Sequence, residues 1–316
     1  VLPDVEVATA GTGTIGATSI TSGIASFVEQ TIGAVTAPKT IGSVALKGSG
    51  HVAVTLGATS LAASATTGAA NQGNISAAAM TSPLATTTID ATKVISNISI
   101  TGGAGADTIK VDAAGSITIT GGTGADVISL GAVTADGNDL STVVYEAGDS
   151  NIVQGTVANG NDTGQDTILS FGNDGADIIV VKGVSTDTSW DHTTHVLGGN
   201  DVAATDNDGA VGSFDNETVL IQFGNDSNVD DAFDIAINVY TGGNDISTPG
   251  NGIAGANDAV VGNDAEIQAV VAVEITGTAG NDTLTMGPQA DTVFGGAGVD
   301  IIDGGGLGDI LDGGDG

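Results

Sequence analysis

Apolar and polar residues alternate with a period of two along much of this chain, a pattern typical of short strands. Between residues 93 and 130 the alternation is regular, and apolar pairs return at spacings of eleven, eight and eleven residues. The pairs are Ile98/Ile100, Ile109/Val111, Ile117/Ile119 and Ile128/Leu130. These spacings predict coils of nineteen residues, in which each strand stacks on the equivalent strand one coil later.

The same logic applies to residues 277–316, where an aspartate returns every nine residues. Glycines precede each aspartate, and an apolar residue follows two places later in every case. The four aspartates are Asp282, Asp291, Asp300 and Asp309. Two nonapeptides make one coil of eighteen residues, so we expect Asp282 to stack on Asp300 and Asp291 on Asp309.

The first ninety residues are rich in Ala, Thr, Ser and Gly and carry few acids. Apolar residues between 19 and 34 fall at helical spacing, which predicts one short amphipathic helix, although the β-branched residues there disfavour it. From Thr40 the period changes to two and predicts strands at 44–46 and 52–56. Residues 59–83 are small, and a loop, an alanine-packed helix and a surface for neighbours all fit them.

In the middle of the chain the repeat weakens, but a Gly-Asn-Asp tripeptide recurs, beginning at residues 137, 160, 172, 199, 224, 243 and 262. Asn and Asp favour tight turns, so many copies are expected to be surface turns. Two copies lie beside further acids, as Asp162/Asp166 and Asp174/Asp177, and these four are candidate metal ligands. Phe171 and Phe223 each precede such a tripeptide and are expected to fill the interior. The pattern divides the chain into four segments: residues 1–92, 93–135, 136–275 and 276–316.

The nonapeptide itself carries the chemistry. The pattern Gly-Gly-x-Gly-x-Asp-x-U-x, where U is apolar, is complete at 102–110, 121–129 and 295–303. It has one mismatch at 277–285, where Thr278 replaces a glycine, and one at 304–312, where Leu307 does. Glycines permit positive φ and leave carbonyls exposed, so stacked turns would offer carboxylate and carbonyl oxygens to a hard cation such as calcium. A metal-free glycine-rich repeat is the competing interpretation.

The net charge of the chain also favours bound cations. The chain has 38 acids, five lysines and no arginine, for a net charge of −33, which disfavours nucleic acid and anionic membranes as partners. Bound divalent cations would relieve this repulsion. There is no cysteine, and we find no signal peptide and no apolar run of membrane-spanning length. Because the sequence opens at Val1 and stops within a repeat, we expect it to be a fragment or a processed piece.

These nonapeptides, together with the segment at 166–179, resemble the repeat-in-toxin (RTX) family of haemolysin-type calcium-binding proteins exported by type I secretion. The resemblance implies an all-β fold, a right-handed parallel β-helix or β-roll with additional β-rich segments, and several bound calcium ions. It implies calcium-binding roles for the sixth-position aspartates and for turn glycine carbonyls. Asp291 fits less well, because Pro288 and Gln289 replace turn glycines. The implied ligands are Gly103, Gly105, Asp107, Gly122, Gly124, Asp126, Gly280, Asp282, Asp291, Gly296, Gly298, Asp300 and Asp309.

Within that family, the acidic, Ala/Thr/Gly/Val-rich, cysteine-free composition is most similar to bacterial surface-layer (S-layer) proteins. This likeness implies a secreted structural protein on the cell exterior. Its expected partners are other copies of itself, in a lattice or filament, and a cell-surface polysaccharide. An RTX adhesin stalk and the secretion module of a hydrolase are the alternatives.

Motifs of catalysis are weak, and we expect no enzyme activity. His192 and His195 lack the spacing and the internal Glu of the zinc-protease motif. They fit a solvated loop beside a packing Trp190 better than a metal site. Gly148-Asp149-Ser150-Asn151 has no suitably placed Asp-x-x-His partner, and an EF-hand loop around Asp206 would have Ala204 at its first ligand position.

Overall fold

The computed structural model of the chain is all-β, with one short helix among the residues that it describes. The chain forms two compact units, residues 1–143 with 167–177, and residues 144–166 with 178–316. The described residues are 18–22, 28–32, 40–41, 44–56, 60–61, 73–94, 97–112, 116–131, 141–146, 149–150, 166–171, 177–185, 189–200, 216–221, 235–240 and 270–316.

The first unit consists of parallel strands in three groups, and the order within each group follows the chain. One group is β1 (Thr18–Ser22), β4 (Val44–Gly48), β7 (Gly73–Ala79), β9 (Ile98–Thr101) and β11 (Ile117–Thr120). A second is β2 (Val28–Ile32), β5 (Val52–Leu56), β8 (Thr87–Ala91), β10 (Thr108–Val111), β12 (Val127–Ser129) and β14 (Asp166–Leu169). The third is the pair β3 (Thr40–Ile41) and β6 (Ser60–Leu61).

Strand register in this unit confirms the predicted step of nineteen residues, where a step is the sequence separation between paired residues of adjacent parallel strands. Ile98 pairs with Ile117 in one sheet, and Ile109 pairs with Ile128 in the other. Both pairs point their side chains into the core, where they are buried. Stacking like on like in this way places thin apolar layers on one another, as in repeat proteins.

The predicted helix at 19–34 is wrong, because that segment contains strands β1 and β2. Both strands lie parallel to a later strand, β1 to β4 and β2 to β5. Backbone pairing along five residues in each case outweighs a helical periodicity that β-branched residues already disfavour. The strands predicted at 44–46 and 52–56 are confirmed as β4 and β5.

In the small-residue stretch at 59–83, the described part contains strands β6 and β7 followed by a turn, and no described residue there is helical. The turn spans residues 80–86 and precedes β8. It stacks on the next turn of the chain, because the amide of Ala104 donates a 2.9 Å hydrogen bond to the carbonyl of Met80. Residues 80–86 therefore occupy a turn position although they lack the glycine pattern.

The second unit has two groups of parallel strands. One is β15 (Ile178–Ser185), β20 (Val271–Thr276), β22 (Thr292–Phe294) and β24 (Ile310–Asp312). The other is β16 (Ser189–Asp191), β21 (Thr283–Thr285) and β23 (Ile301–Asp303). The helix α1 (His192–His195) follows β16, and β17 (Val196–Asn200), β18 (Asn216–Ile221) and β19 (Ile235–Tyr240) form an antiparallel meander. Strand β13 (Ser141–Glu146) is where the chain leaves the first unit.

Residues 270–316, which we call the C-terminal array, repeat with the predicted step of eighteen residues. Thr283 pairs with Ile301, and Thr292 pairs with Ile310. Inward-pointing residues form a row in each sheet, with Leu284 and Val293 fully buried. Phe171 in the first unit is also fully buried, as predicted, whereas Phe223 lies outside the described residues. In the described part of the chain, no helix has the length and apolar character needed to cross a membrane.

Candidate cation-binding turns

The sixth-position aspartates lie in turns directly before short strands. Asp107 precedes β10 and Asp126 precedes β12, and both side chains are buried. In the C-terminal array Asp282 and Asp291 are buried before β21 and β22, while Asp300 and Asp309 are half-buried. Alternation explains their direction, because residue U two places later points inward, and the aspartate lies on the same side of the strand.

The carboxylates of five of these aspartates reach the preceding turn: Asp107, Asp126, Asp291, Asp300 and Asp309. Oδ1 of Asp107 accepts a 2.6 Å hydrogen bond from the amide of Thr87, and Oδ1 of Asp126 accepts one of 2.8 Å from the amide of Asp107. The donor is always the residue at the equivalent position one step earlier. In the array the donors and acceptors are Val273 to Asp291 at 2.7 Å, Asp282 to Asp300 at 3.0 Å and Asp291 to Asp309 at 3.1 Å.

Asp291 therefore behaves like its neighbours despite Pro288 and Gln289 in its turn. Its Oδ1 has a shorter contact to the preceding step than Oδ1 of Asp300 or Asp309 has. The contact depends on the position of the aspartate relative to the strand. The glycines missing from this turn are not needed to make it.

The second carboxylate oxygen faces the aspartate's own turn. Oδ2 of Asp107 accepts a hydrogen bond from the amide of Gly103, and Oδ2 of Asp282 accepts one of 2.7 Å from the amide of Thr278. Oδ2 of Asp291 and Oδ2 of Asp300 differ, because both atoms are buried and have no hydrogen-bond partner among the described residues. A buried, unpaired carboxylate oxygen is costly unless a cation or proton compensates it.

First-position glycines leave room for these oxygens. A Cβ added to Gly295 would lie 2.6 Å from Oδ2 of Asp300 and 2.8 Å from the carbonyl oxygen of Gly313 in the next turn. Gly277 is similar, since its Cβ would collide with the carbonyl of Gly295 and lie 2.8 Å from Oδ2 of Asp282. A carboxylate oxygen and a carbonyl oxygen from neighbouring turns thus converge beside each of these α-carbons.

Several second- and fourth-position glycines are required by backbone conformation and by stacking, without any need for a metal. Gly122, Gly124, Gly296 and Gly298 have φ values of 92°, 133°, 98° and 127°, in the region that favours glycine. A Cβ at any of them would also collide with backbone of the equivalent residue one step earlier. Gly103 and Gly105 pack in the same way on the turn at 80–86, whereas Gly280 has only the Thr278 hydroxyl nearby, at 3.4 Å.

The carbonyls of the second position are already engaged between turns. Those of Thr278, Gly287 and Gly296 accept hydrogen bonds of 3.1, 3.0 and 2.9 Å from the following turn. A carbonyl oxygen has two lone pairs, so each retains one further acceptor site. The turns are therefore joined by backbone contacts, and their oxygens still offer capacity to a ligand.

The charged side chains of the C-terminal array are all acidic. Residues 270–316 include eight Asp and Glu and no Lys, Arg or His. Burial raises the pKa of Asp291 to about 6, the hydrogen bond from the amide of Val273 opposes this rise, and the charge of Asp309 adds to it. In the first unit, burial raises the pKa of Asp107 to about 6 as well. An all-oxygen donor set with buried acids and no basic side chain in the same stretch fits a hard divalent cation.

Thr278 has a role that the motif does not predict. It stands where the pattern has glycine, and its hydroxyl donates to the carboxylate of Asp282, at 2.9 Å from Oδ1 and 3.1 Å from Oδ2. The same hydroxyl accepts a 2.9 Å hydrogen bond from the amide of Gly280. A hydroxyl residue four places before an aspartate is the signal that could have indicated this contact.

The candidate metal ligands of the middle segment differ in the contacts that they make. Oδ1 of Asp177 accepts a 3.2 Å hydrogen bond from the amide of Ser141, so Asp177 makes the same kind of contact as the array aspartates. Asp166 is buried at the start of β14, and its amide donates a 2.9 Å hydrogen bond to Oγ of Ser150. Asp162 and Asp174, their predicted neighbours, lie outside the described residues.

Gly-Asn-Asp tripeptides are described at two places, one in full and one in part. Within 280–282, the side chain of Asn281 accepts a 2.9 Å hydrogen bond from the amide of Val299 in the next turn. At 199–201, Gly199 and Asn200 belong to strand β17 and pair with β18, so these two residues do not form a turn. The other six copies, and the EF-hand-like stretch at 204–215, lie outside the described residues.

The prediction of a solvated loop at His192 and His195 is wrong. His192 is 1% exposed, although Trp190 is buried as expected. Across the described part of the chain, no group of three or more His, Cys, Asp and Glu side chains is close enough together to hold a metal ion. Any cation in these turns would therefore need backbone carbonyls as well as the aspartates.

Comparison of the chain with protein-family models, with curated proteins and with solved structures gave no match. The site can therefore be interpreted only from its own geometry.

Proposed function

We propose that this chain is a calcium-dependent extracellular structural protein of RTX type, which self-assembles into a surface layer or filament. In this proposal the parallel sheets are the walls of a right-handed β-roll, and calcium lies between successive turns. The observation that carries it is the repeated arrangement of buried and half-buried aspartates one step apart, beside glycine carbonyls, in an array that has no basic residue.

Calcium suits this arrangement chemically. It takes six to eight oxygen ligands in flexible geometry, which carboxylates and carbonyls of two adjacent turns can supply. Asp107, Asp126, Asp282, Asp291, Asp300 and Asp309 are the proposed carboxylate ligands. The unpartnered Oδ2 of Asp300, next to the carbonyl of Gly313, is the clearest candidate for a vacant acceptor pair.

Calcium binding would then control folding. Desolvated carboxylates oppose the compact state until a cation neutralises them, so metal affinity becomes folding free energy. A site present at a hundredfold excess over its dissociation constant adds about 2.7 kcal/mol. Several such sites are comparable with the whole stability of an ordinary domain. A chain with weak sites would stay unfolded at cytosolic calcium levels and fold outside the cell.

Self-assembly is the second part of the proposal. Copies of the chain are the proposed partner, with a cell-surface polysaccharide as the anchor. Support comes from composition, because an acidic surface repels other copies until cations bridge or neutralise it. Assembly should therefore require calcium at concentrations that also complete folding.

The test compares purified protein in millimolar calcium, in magnesium at the same concentration, and in EGTA. Circular dichroism follows β-structure, and electron microscopy follows assembly. We expect calcium alone to produce folded protein and ordered sheets or fibres. Unchanged β-structure in EGTA would refute the folding role. Folded protein that stays monomeric in calcium would refute self-assembly and favour the adhesin stalk.

A further inference from the structure

The start of the C-terminal array is covered by residues from far earlier in the chain. Strand β16 lies parallel to β21, with Trp190 opposite Leu284 and Asp191 opposite Thr285. On its other side β21 pairs with β23, one step of eighteen residues later. Strand β16 therefore occupies the place of the preceding strand, although it is not the preceding repeat.

Trp190 fills the interior at this end. It is 1% exposed and continues the inward row that Leu284 begins. His195 stacks on its ring, with 4.5 Å between ring centroids and 23° between planes. The short helix α1 holds this arrangement, because the side chain of Asp191 accepts hydrogen bonds from the amide and hydroxyl of Thr193, at 2.9 and 2.7 Å.

His192 fills the space beside the α-carbon of Gly287, which we call the slot. Second-position glycines later in the array, Gly296 and Gly305, have the carbonyl of the preceding turn where their Cβ would be. At Gly287 the imidazole of His192 is there instead, with Nε2, Cε1 and Cδ2 at 2.5, 2.6 and 2.7 Å from the ideal Cβ position. The imidazole thus lies where the backbone of the preceding turn lies at Gly296 and Gly305.

We propose that residues 189–195 are a built-in cap for the C-terminal array. Strand β16 supplies the strand of a coil that the array lacks, Trp190 supplies its core, and His192 supplies its turn. Short repeats cannot bury their apolar face alone, and terminal repeats need capping. The array is therefore stable only when this distant segment has docked, a requirement that does not depend on which cation the turns bind.

Two reciprocal substitutions test the cap in the full chain. His192→Ala empties the slot, and Gly287→Ala places a methyl group in it. Gly287 is not in the positive-φ region, and the three atoms nearest its Cβ position all belong to His192, so the alanine should displace the imidazole first. Because the methyl group occupies space that His192→Ala vacates, the double variant should recover part of the lost stability.

Hydrogen exchange of the β21 amides is the main measurement, supported by fluorescence of Trp190, the one tryptophan of the chain. Each single variant should speed β21 exchange by about tenfold or more, as expected when a buried contact is lost, and should shift Trp190 emission to longer wavelength. Gly308→Ala is the control, since a Cβ at Gly308 meets nothing within 4 Å.

Exchange is measured in calcium and in EGTA, which separates this proposal from the proposed function. Faster exchange in both single variants, with partial recovery in the double variant, supports the cap in whichever condition wild-type β21 is protected. Wild-type protection in His192→Ala, or strictly additive effects in the double variant, would overturn it. Equal wild-type protection in calcium and EGTA would count against calcium-dependent folding and leave the cap standing.

Discussion

The backbone amide of Asp107 donates a 2.8 Å hydrogen bond to Oδ1 of Asp126, nineteen residues later and at the same place in the next turn. Asp282 and Asp300 are related in the same way across eighteen residues. A sixth-position aspartate thus has two separable roles. It accepts a backbone hydrogen bond from the turn before it, and it carries a charge available to a cation.

Substitution of Asp300 should separate these roles. Asp300→Asn keeps an acceptor at Oδ1 and removes the charge, so we expect unchanged or higher stability in EGTA and a calcium midpoint raised by about tenfold or more. Asp300→Ala also leaves the amide of Asp282 without its acceptor. This should lower the free energy of unfolding by about 1–3 kcal/mol without calcium. Because the metal-free protein is expected to unfold, denaturant unfolding in EGTA is measured with sucrose added to favour the folded state. Calcium titration by circular dichroism measures the second effect.

Asp312→Asn is the matched control for Asp300→Asn, because Asp312 is exposed on the outer face of β24. It should leave the calcium midpoint near that of the wild type. Equal midpoints for the Asp300→Asn variant and the wild type would exclude Asp300 as a ligand.

Gly296, at a second position of the motif, should be irreplaceable for a reason unrelated to metal. Gly296→Ala puts a Cβ onto the carbonyl of Thr278 at a φ of 98°, so we expect a loss of at least about 1–3 kcal/mol. Gly308→Ala has open space around its Cβ and should cost less than about 1 kcal/mol. Thermal unfolding in calcium, and in EGTA with sucrose added to favour the folded state, should show the same ranking. A ranking that appears only in calcium would contradict the steric explanation.

Leu307 occupies a glycine position of the motif and has a backbone conformation in the left-handed region, with a φ of 54°. It is 74% exposed, so its side chain gains little from burial. Leu307→Gly should therefore stabilise the protein by up to about 1 kcal/mol, because relief of left-handed strain exceeds the entropy cost of glycine. Leu84→Gly, at a similarly exposed leucine without positive φ, should destabilise it, and a destabilised Leu307→Gly variant would show that Leu307 is not strained.

The pH dependence of stability should reverse with calcium. Burial raises the pKa of Asp107 and Asp291 from 3.8 to about 6 in the folded, metal-free protein. The folded state therefore binds protons more readily than the unfolded state between those values. Without calcium, the free energy of unfolding should rise as pH falls through 6 toward 4, by up to about 1.4 kcal/mol per pH unit for each group.

With calcium bound, protons compete with the cation, so stability should fall over the same pH range. Asp107→Asn and Asp291→Asn, combined in one variant, should flatten both profiles relative to the wild type. This comparison removes the contribution of the other acids, whose mutual repulsion is relieved by acid in either protein. Parallel profiles for the wild type and the variant would show that the two buried carboxylates do not control the pH response.

The steps of nineteen and eighteen residues could be predicted because apolar alternation and glycine spacing both repeat with them. Local patterns failed where a distant partner decides the structure. The helical spacing of Ile20, Ile24 and Phe27 gave no indication that β1 and β2 pair with β4 and β5. Similarly, nothing near His192 indicates that Gly287 will lie against its ring, since the two are joined only through the pairing of β16 with β21.

At the candidate site, the aspartates were predictable and their hydrogen-bond partners were not. Asp177 makes the array-type contact with Ser141, which has no motif of its own. Thr278 is a mismatch to the glycine pattern and yet binds Asp282 directly. A consensus pattern records which residues recur, whereas a substituted residue can replace a lost contact by another chemistry.

The aspartate contacts all run in one direction along the chain. In each pair the earlier residue donates its amide and the later residue supplies the carboxylate, as from Thr87 to Asp107 and from Val273 to Asp291. Each turn is therefore completed by the one synthesised after it. This gives the fold a polarity. Loss of a later turn leaves a buried amide unsatisfied in the turn before it, whereas loss of an earlier turn leaves a carboxylate that water or a cation can still accommodate.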